Sequence, residues 1–206
     1  LRMHRTNGNS QTNNHGFGQG IETLNSLRLA GQSVILSFKA KRGADFSGSG
    51  NTINCSINAG EGTDENPFGM TSTNSSSQSF TLLETDTSHT LTFDIPSDKT
   101  QVTVLFNYTP TGTAGVNDWF EIADCQLEMG TAATPFENVS YGDELARCQR
   151  YYYRITGNDN DTAGLGFAVS SNENYFWIEL PVPMRAYPTY TGSATAARFF
   201  SGNNGQ

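Results

Sequence analysis

Four stretches of this chain alternate apolar and polar residues with a strict period of two, and this restricts the fold more than any motif does. Val34, Leu36, Phe38 and Ala40 alternate with Ile35, Ser37, Lys39 and Lys41. Ile53, Cys55 and Ile57 share one face of a second stretch. In the third, Leu91, Phe93 and Ile95 point inward and Thr90, Thr92 and Asp94 outward. In the fourth, Val102, Val104, Phe106 and Tyr108 point inward. Successive side chains of a strand face opposite sides of a sheet, so each stretch reads as a strand with one wet face. Strand signals also begin at Ile21 and run over Phe80 to Glu84 and Asp118 to Met129. At least seven strands joined by turn-rich loops predict a sandwich or jelly roll.

The composition fits a modest core with an unusual exterior. Leu, Ile, Val and Phe make up roughly a fifth of the chain, close to the limit for folding. Aromatic residues at 11% compensate, because each buried ring brings roughly 150–250 Å². Charged residues are only 16%, so the surface is solvated by hydroxyls and amides. Net charge is −8, and the arginines are scattered. A nucleic-acid binder clusters cations against phosphates, so nucleic acid and anionic membrane surfaces are poor partners. No apolar run approaches the ~20 residues of a membrane-spanning helix. The three cysteines form no C-x-x-C pair. Cys55 and Cys125 each sit in an apolar alternation and are expected in the core as reduced thiols.

Residues 1–19 are polar and Gly/Asn-rich and read as a lead-in loop. Residues 59–77 read as a long polar loop holding Pro67, Phe68 and Met70. After Pro135 the period changes. Leu145, Cys148 and Tyr152 fall at i, i+3 and i+7, which predicts a helix over Asp143 to Tyr153. Beyond it Leu165, Phe167 and Val169 alternate, Ser171 to Asn174 make a turn, and Tyr175 to Leu180 form a strand. About 50 residues make a thin domain, so this unit is expected to continue past Gln206 or to be completed by another subunit.

The segment Ile122-Ala123-Asp124-Cys125-Gln126-Leu127-Glu128-Met129-Gly130, followed by Ala133-Thr134-Pro135-Phe136-Glu137 and by Tyr141-Gly142-Asp143-Glu144-Leu145-Ala146-Arg147-Cys148-Gln149-Arg150-Tyr151-Tyr152, carries a recognisable signature. It resembles the "QLE-x-G-x-x-ATPFE … YG-x-EL-x-x-CQRYY" pattern of bacteriophage tail-fibre and other virion appendage proteins. Leu29-Ala30-Gly31-Gln32-Ser33-Val34 to Ala40-Lys41 resembles that family's "LAG-x-x-VTLSFWAK" strand, and Asn117-Asp118-Trp119-Phe120-Glu121-Ile122 its final sandwich strands. The resemblance implies an all-β chain: a jelly-roll β-sandwich similar to carbohydrate-binding modules over residues 20–137, a linker and short helix over 138–153, and a smaller distal β domain over 154–206. It also implies a homotrimeric appendage assembled in the host cytoplasm into the virion, with other virion proteins and a host cell-surface glycan as partners.

Sugar recognition uses aromatic rings for stacking and planar polar groups for hydroxyls. Trp119, with Asn117 and Asp118, and Trp177, with Asn174 and Tyr175, are the candidates; sandwich core is the competing reading for both tryptophans, and a subunit interface for Trp177. Leu145, Cys148, Tyr151 and Tyr152 are candidates for contacts between subunits. No metal or cofactor is expected. Many carbohydrate-binding jelly rolls hold a structural calcium through an acidic residue on the last strand; Asp124 could be offered for that, but the appendage pattern does not require an acid there. Asp159-Asn160-Asp161-Thr162-Ala163-Gly164 begins like a calcium loop, yet Ala163 and Ser170 stand where an EF-hand needs a fifth-position ligand and a twelfth-position Glu. No G-x-S-x-G or H-E-x-x-H motif occurs. The chain is therefore read as a non-enzymatic binding module. A structural connector or head-decoration protein is the first alternative, and a polysaccharide depolymerase with a carboxylate pair is the second.

Overall fold

The computed structural model describes residues 1–154, 165–168 and 174–186. The chain divides into two compact units, Leu1–Glu137 and Asn138–Gln206. In the first unit β1 (Arg2–His4) and β2 (His15–Ile21) precede a single helical turn, α1 (Thr23–Ser26). Then come β3 (Ser33–Arg42), β4 (Thr52–Gly60), β5 (Ser72–Thr81), β6 (Thr87–Asp94), β7 (Gln101–Tyr108) and β8 (Trp119–Met129). They form two four-stranded antiparallel sheets, ordered β1-β8-β3-β6 and β2-β7-β4-β5. The unit is a β-sandwich.

The alternation in the sequence builds the core. Val34, Leu36, Phe38 and Ala40 from one sheet meet Ile53, Cys55, Ile57, Val102 and Phe106 from the other in one buried cluster. Aromatic rings interlock across the interior. Phe38 meets Phe106 edge-on at 5.0 Å, Phe46 lies 4.7 Å from Tyr108, and Phe17 stacks on Phe120 at 5.5 Å. Gly31 takes φ +73°, the left-handed conformation that favours glycine, and its N–H donates to the Ile95 carbonyl at 3.0 Å, turning the chain into β3.

Four expectations need correction. Residues 1–19 are not a lead-in loop, because β1 pairs with β8 and β2 pairs with β7. Glycines at 16, 18 and 20 had removed the apolar alternation from β2. The 59–77 loop is shorter than expected, because β4 runs to Gly60 and β5 begins at Ser72. The Phe80–Glu84 strand is correspondingly the tail of β5, which ends at Thr81. Finally, Cys125 is exposed, whereas Cys55 is buried as expected. Here β8 carries a bulge: Ser37 faces Gln126 and Lys39 faces Ala123, so Asp124 and Cys125 together oppose Phe38. Asp124 takes φ +48° at this point. One extra residue moves the inward parity from Phe120 and Ile122 to Leu127.

In the second unit α2 spans Tyr141–Gln149, beginning two residues earlier and ending four earlier than expected. Ser140 caps it by accepting from the Asp143 N–H at 3.3 Å. Two short strands, β9 (Leu165–Ala168) and β10 (Asn174–Trp177), pair with Tyr175 opposite Phe167. Among the described residues no helix is long and apolar enough to cross a membrane.

Candidate functional site

Asn117, Asp118 and Trp119 are adjacent in sequence but take three different roles. Asp118 is 0% exposed and ion-paired to buried Arg5 at 2.8 Å. Ser47 completes the pairing: its N–H donates to Asp118 Oδ1 at 3.0 Å and its hydroxyl to Oδ2 at 2.8 Å. Arg5 also donates to the carbonyls of Asn9, Gln11 and Gly112, so one guanidinium ties the start of the chain to two later loops. Asp118 therefore holds the fold and cannot reach a ligand. Trp119 is neither core nor a free platform. It is half-buried on the outward side of β8, with the Arg2 guanidinium 4.1 Å over its ring. A Cβ on Gly43 would lie 2.7 Å from the indole nitrogen, so the tryptophan is fitted against that glycine. Asn117 is exposed, and its backbone N–H donates to Asp45.

Tyr175 is exposed and lies 6.0 Å from exposed Phe167 across β9 and β10. The side chains of Asn174 and Trp177 lie outside the described residues, as does the whole Asp159–Gly164 segment. Leu145, Cys148, Tyr151 and Tyr152 are all exposed, and α2 buries none of its residues. Asp124 is ion-paired to Lys39 at 2.7 Å. Among the described residues no cluster of three or more His, Cys, Asp or Glu is positioned to hold a metal.

The two outward faces of the sandwich differ in chemistry. On the β1-β8-β3-β6 sheet, Glu121 pairs with Arg2 at 2.7 Å and with Lys41 at 3.2 Å, and Lys41 also reaches Asp86 at 3.3 Å. Partial burial pushes the Glu121 carboxyl up, but the hydrogen bonds from Arg2 and Lys41 outweigh it and hold the group below its ordinary range. Hydrogen bonds that Lys41 donates to Glu121 and Asp86 keep its ammonium above its own. This surface neutralises itself.

The β2-β7-β4-β5 sheet has no Asp, Glu, Lys or Arg in any of its strands. Its outward residues form three rows running across the strands. Gly16, Asn107, Asn54 and Ser79 make one; Gly18, Leu105, Ser56 and Ser77 the next; Gly20, Thr103, Asn58 and Ser75 the third. Four strands at the usual spacing make this floor about 14 Å wide. Asn58 Nδ2 donates to Ser56 Oγ at 3.2 Å, and Asn14 Nδ2 to Asn107 Oδ1 at 3.5 Å. Bare glycines on β2 let the neighbouring side chains lie flat: a Cβ on Gly16 would meet Asn107 Cβ at 2.7 Å, and one on Gly18 would collide with Leu105.

Residues 61–71 close one end of the floor. A Cβ on Gly20 would lie 3.7 Å from Pro67, and one on Gly60 3.4 Å from Met70, so the loop rests on outward positions of the sheet at two points. This covering buries Thr103 and Gln101 although both face away from the core. The Gln101 amide oxygen accepts from the Glu65 N–H at 3.3 Å, and the Asn66 side chain accepts from the Phe68 N–H at 2.9 Å. Phe68, between the two anchors, is 64% exposed. The arrangement is a hydroxyl and amide floor beside a wall that carries an exposed aromatic ring. Sequence reasoning missed it, although the absence of charge from these four segments was a readable signal.

No protein-family model matches the sequence, and no curated protein matches it. Among solved structures, the chain is similar to the enzymatically active domain of tailspike protein 4 of bacteriophage CBA120, at 16% identity and a TM-score of 0.38, over 58% of this chain and 15% of that one. It is similar to a CBM4 protein at 16% identity and a TM-score of 0.37, over 63% of this chain and 70% of that one. It is also similar to a Family 16 Carbohydrate Binding Module-2, at 15% identity and a TM-score of 0.38, over 58% of this chain and 72% of that one. The chain thus spans about 15% of the length of that tailspike domain.

Proposed function

We propose that this chain is a module of a bacteriophage virion appendage, a tail fibre, that binds a host cell-surface glycan on the outward face of the β2-β7-β4-β5 sheet. The observation that carries the binding reading is the charge-free floor of Asn54, Asn58, Asn107, Ser75, Ser77 and Ser79 beside exposed Phe68. Amides and hydroxyls match the donors and acceptors of sugar hydroxyls, and an aromatic ring stacks on the apolar face of a pyranose. The appendage reading rests on the resemblance of residues 122–152 to the tail-fibre signature. The strand order supports a jelly roll: β1-β8-β3-β6 and β2-β7-β4-β5 are the orders that two interlocked Greek keys produce.

The reading is of binding without catalysis. Glycoside hydrolysis needs two carboxyl groups flanking the bond; the strands of the proposed face carry none, and of the carboxylates in loop 61–71 Glu61 is held by Lys99 and Asp64 accepts from the Thr23 N–H. Incubation with host polysaccharide should release no reducing sugar. The appendage is read as a homotrimer, with Leu145, Cys148, Tyr151 and Tyr152 covered by neighbouring copies, because α2 buries none of its residues within its own chain. Display on a trimer raises the avidity of weak single sites. Light scattering on the whole chain should give three copies, and a monodisperse monomer would contradict the trimer. Its place is the virion after assembly in the host cytoplasm, in contact with other virion proteins.

An array of bacterial surface polysaccharides tests the function. The chain should bind at least one class, and Asn54→Ala with Asn58→Ala should abolish that signal without changing the thermal unfolding midpoint. Absence of binding to every polysaccharide on the array would favour the structural connector.

A further inference from the structure

We infer that the glycan taken by this face is electrically neutral, so that the face excludes uronic, sialylated, sulfated and phosphorylated sugars. The inference rests on the glycan reading above and adds the chemical class of ligand.

Any bound chain must lose water against the floor. A neutral hydroxyl recovers its hydrogen bonds there from Asn54, Asn58, Asn107 and the serines of β5. A carboxylate or phosphate does not, because an anion moved out of water needs a countercharge or several strong donors. Neither the four strands nor loop 61–71 carries any Lys or Arg. Lys99, next to the β7 strand, is buried and already held by Glu61 at 2.8 Å and Asp98 at 2.7 Å. The charge on the wall is negative: Glu61, Asp64 and Glu65 all lie in loop 61–71. At longer range the net charge of −8 also repels anions.

The floor has an apolar centre as well. Leu105 lies in the middle row, half-buried, flanked by Ser56 on one side and Gly18 on the other. With Phe68 on the wall, it offers contact to the C–H faces of sugar rings. A chain with hydroxyls at its edges and apolar ring faces fits this pattern, whereas a polyanion does not.

Paired polymers that differ only in charge test the inference on the full chain. Laminarin and sulfated laminarin, mannan and phosphomannan, and neutral and carboxymethylated dextran are titrated by calorimetry, with chitosan as a cationic arm. The expected result is binding to a neutral member, no detectable binding to its anionic counterpart, and less than about a twofold change in Kd between roughly 0.05 and 0.5 M salt. Ser77→Lys, at the exposed end of the middle row, should admit the anionic counterpart while leaving the unfolding midpoint unchanged. Tight, salt-sensitive binding of an anionic or cationic polymer that Asn54→Ala with Asn58→Ala abolishes would overturn neutrality and keep the glycan reading. Absence of binding to any polymer here and on the polysaccharide array would overturn both.

Discussion

Strands β2, β4, β5 and β7 hold no Asp, Glu, Lys or Arg, whereas β1, β3, β6 and β8 hold Arg2, Lys39, Lys41, Arg42, Asp94, Glu121, Asp124 and Glu128. The two sheets share one core and the same inward pattern of Val, Ile, Leu and Phe. They differ on the side that faces water. One outer face satisfies itself through ion pairs, with Arg2, Glu121, Lys41 and Asp86 in a chain and Arg2 lying over Trp119. The other consists largely of amides and hydroxyls. Self-paired charges have little left to offer a ligand. An uncharged hydrogen-bonding floor bounded by a wall has both capacity and shape, and this difference is the basis of the roles proposed for the two sheets.

The largest expected effect tests what both sheets depend on. Arg5→Ala leaves Asp118 buried without its cation, and Asp118→Ala leaves Arg5 in the same position. Either change should cost about 3–5 kcal/mol in chemical denaturation. An effect below about 1 kcal/mol, the range of surface pairs, would mean that the network does not hold the loops together.

Next come the changes that should separate the two faces. Phe68→Ala should weaken glycan binding about tenfold, which is roughly 1.4 kcal/mol, and leave stability unchanged because the ring is exposed. Gly18→Val should push Leu105 out of the floor and weaken binding by a similar factor. The same affinity measured on Trp119→Ala should stay at the wild-type value. Loss of binding there, with Phe68→Ala silent, would exchange the roles of the two faces.

A smaller effect concerns pH. His89 packs 5.4 Å from Phe38 and 5.1 Å from Phe80, where burial lowers its pKa from the ordinary 6.5. The folded state therefore prefers the neutral ring. Stability is fully present above pH ~6.5 and declines as pH falls through the lowered folded value. His89→Gln should flatten that decline in denaturation midpoints measured between pH ~7 and ~5. The charged face titrates elsewhere. The Glu121 carboxyl is held low by Arg2 and Lys41, so its contribution persists until the carboxylate range is reached. Last in size, Glu121→Gln at neutral pH should hardly move the thermal midpoint, because exposed pairs contribute little.

The same contrast explains what the sequence revealed. Strands β3, β6, β7 and β8 carried alternating apolar residues, as did the inward side of β4, and all five were legible within a few residues. The segments that escaped detection belong mostly to the uncharged face. In β2 the outward positions are Gly16, Gly18 and Gly20, and β5 runs Ser-Thr-Asn-Ser-Ser-Ser-Gln-Ser before its first large apolar residue. Short hydroxyl and amide side chains with glycine are also what loops are made of, so the composition of the uncharged face conceals its strands. Asp118 was misread for a different reason. Its role depends on Arg5, which is 113 residues away in sequence. The bulge at Asp124 was visible only as a conflict in parity between Phe120–Ile122 and Leu127.

The most direct test of the account is a map of the ligand footprint. Backbone amide shifts of the full chain would be followed by NMR during titration with the tightest-binding neutral polysaccharide fragment from the array. The account predicts shifts concentrated in β4, β5, β7 and residues 61–71, with Asn54, Asn58, Asn107 and Phe68 among the largest and with β3 and β8 silent. A footprint centred on Asn117 and Trp119, or on Tyr175 in the distal unit, would contradict it.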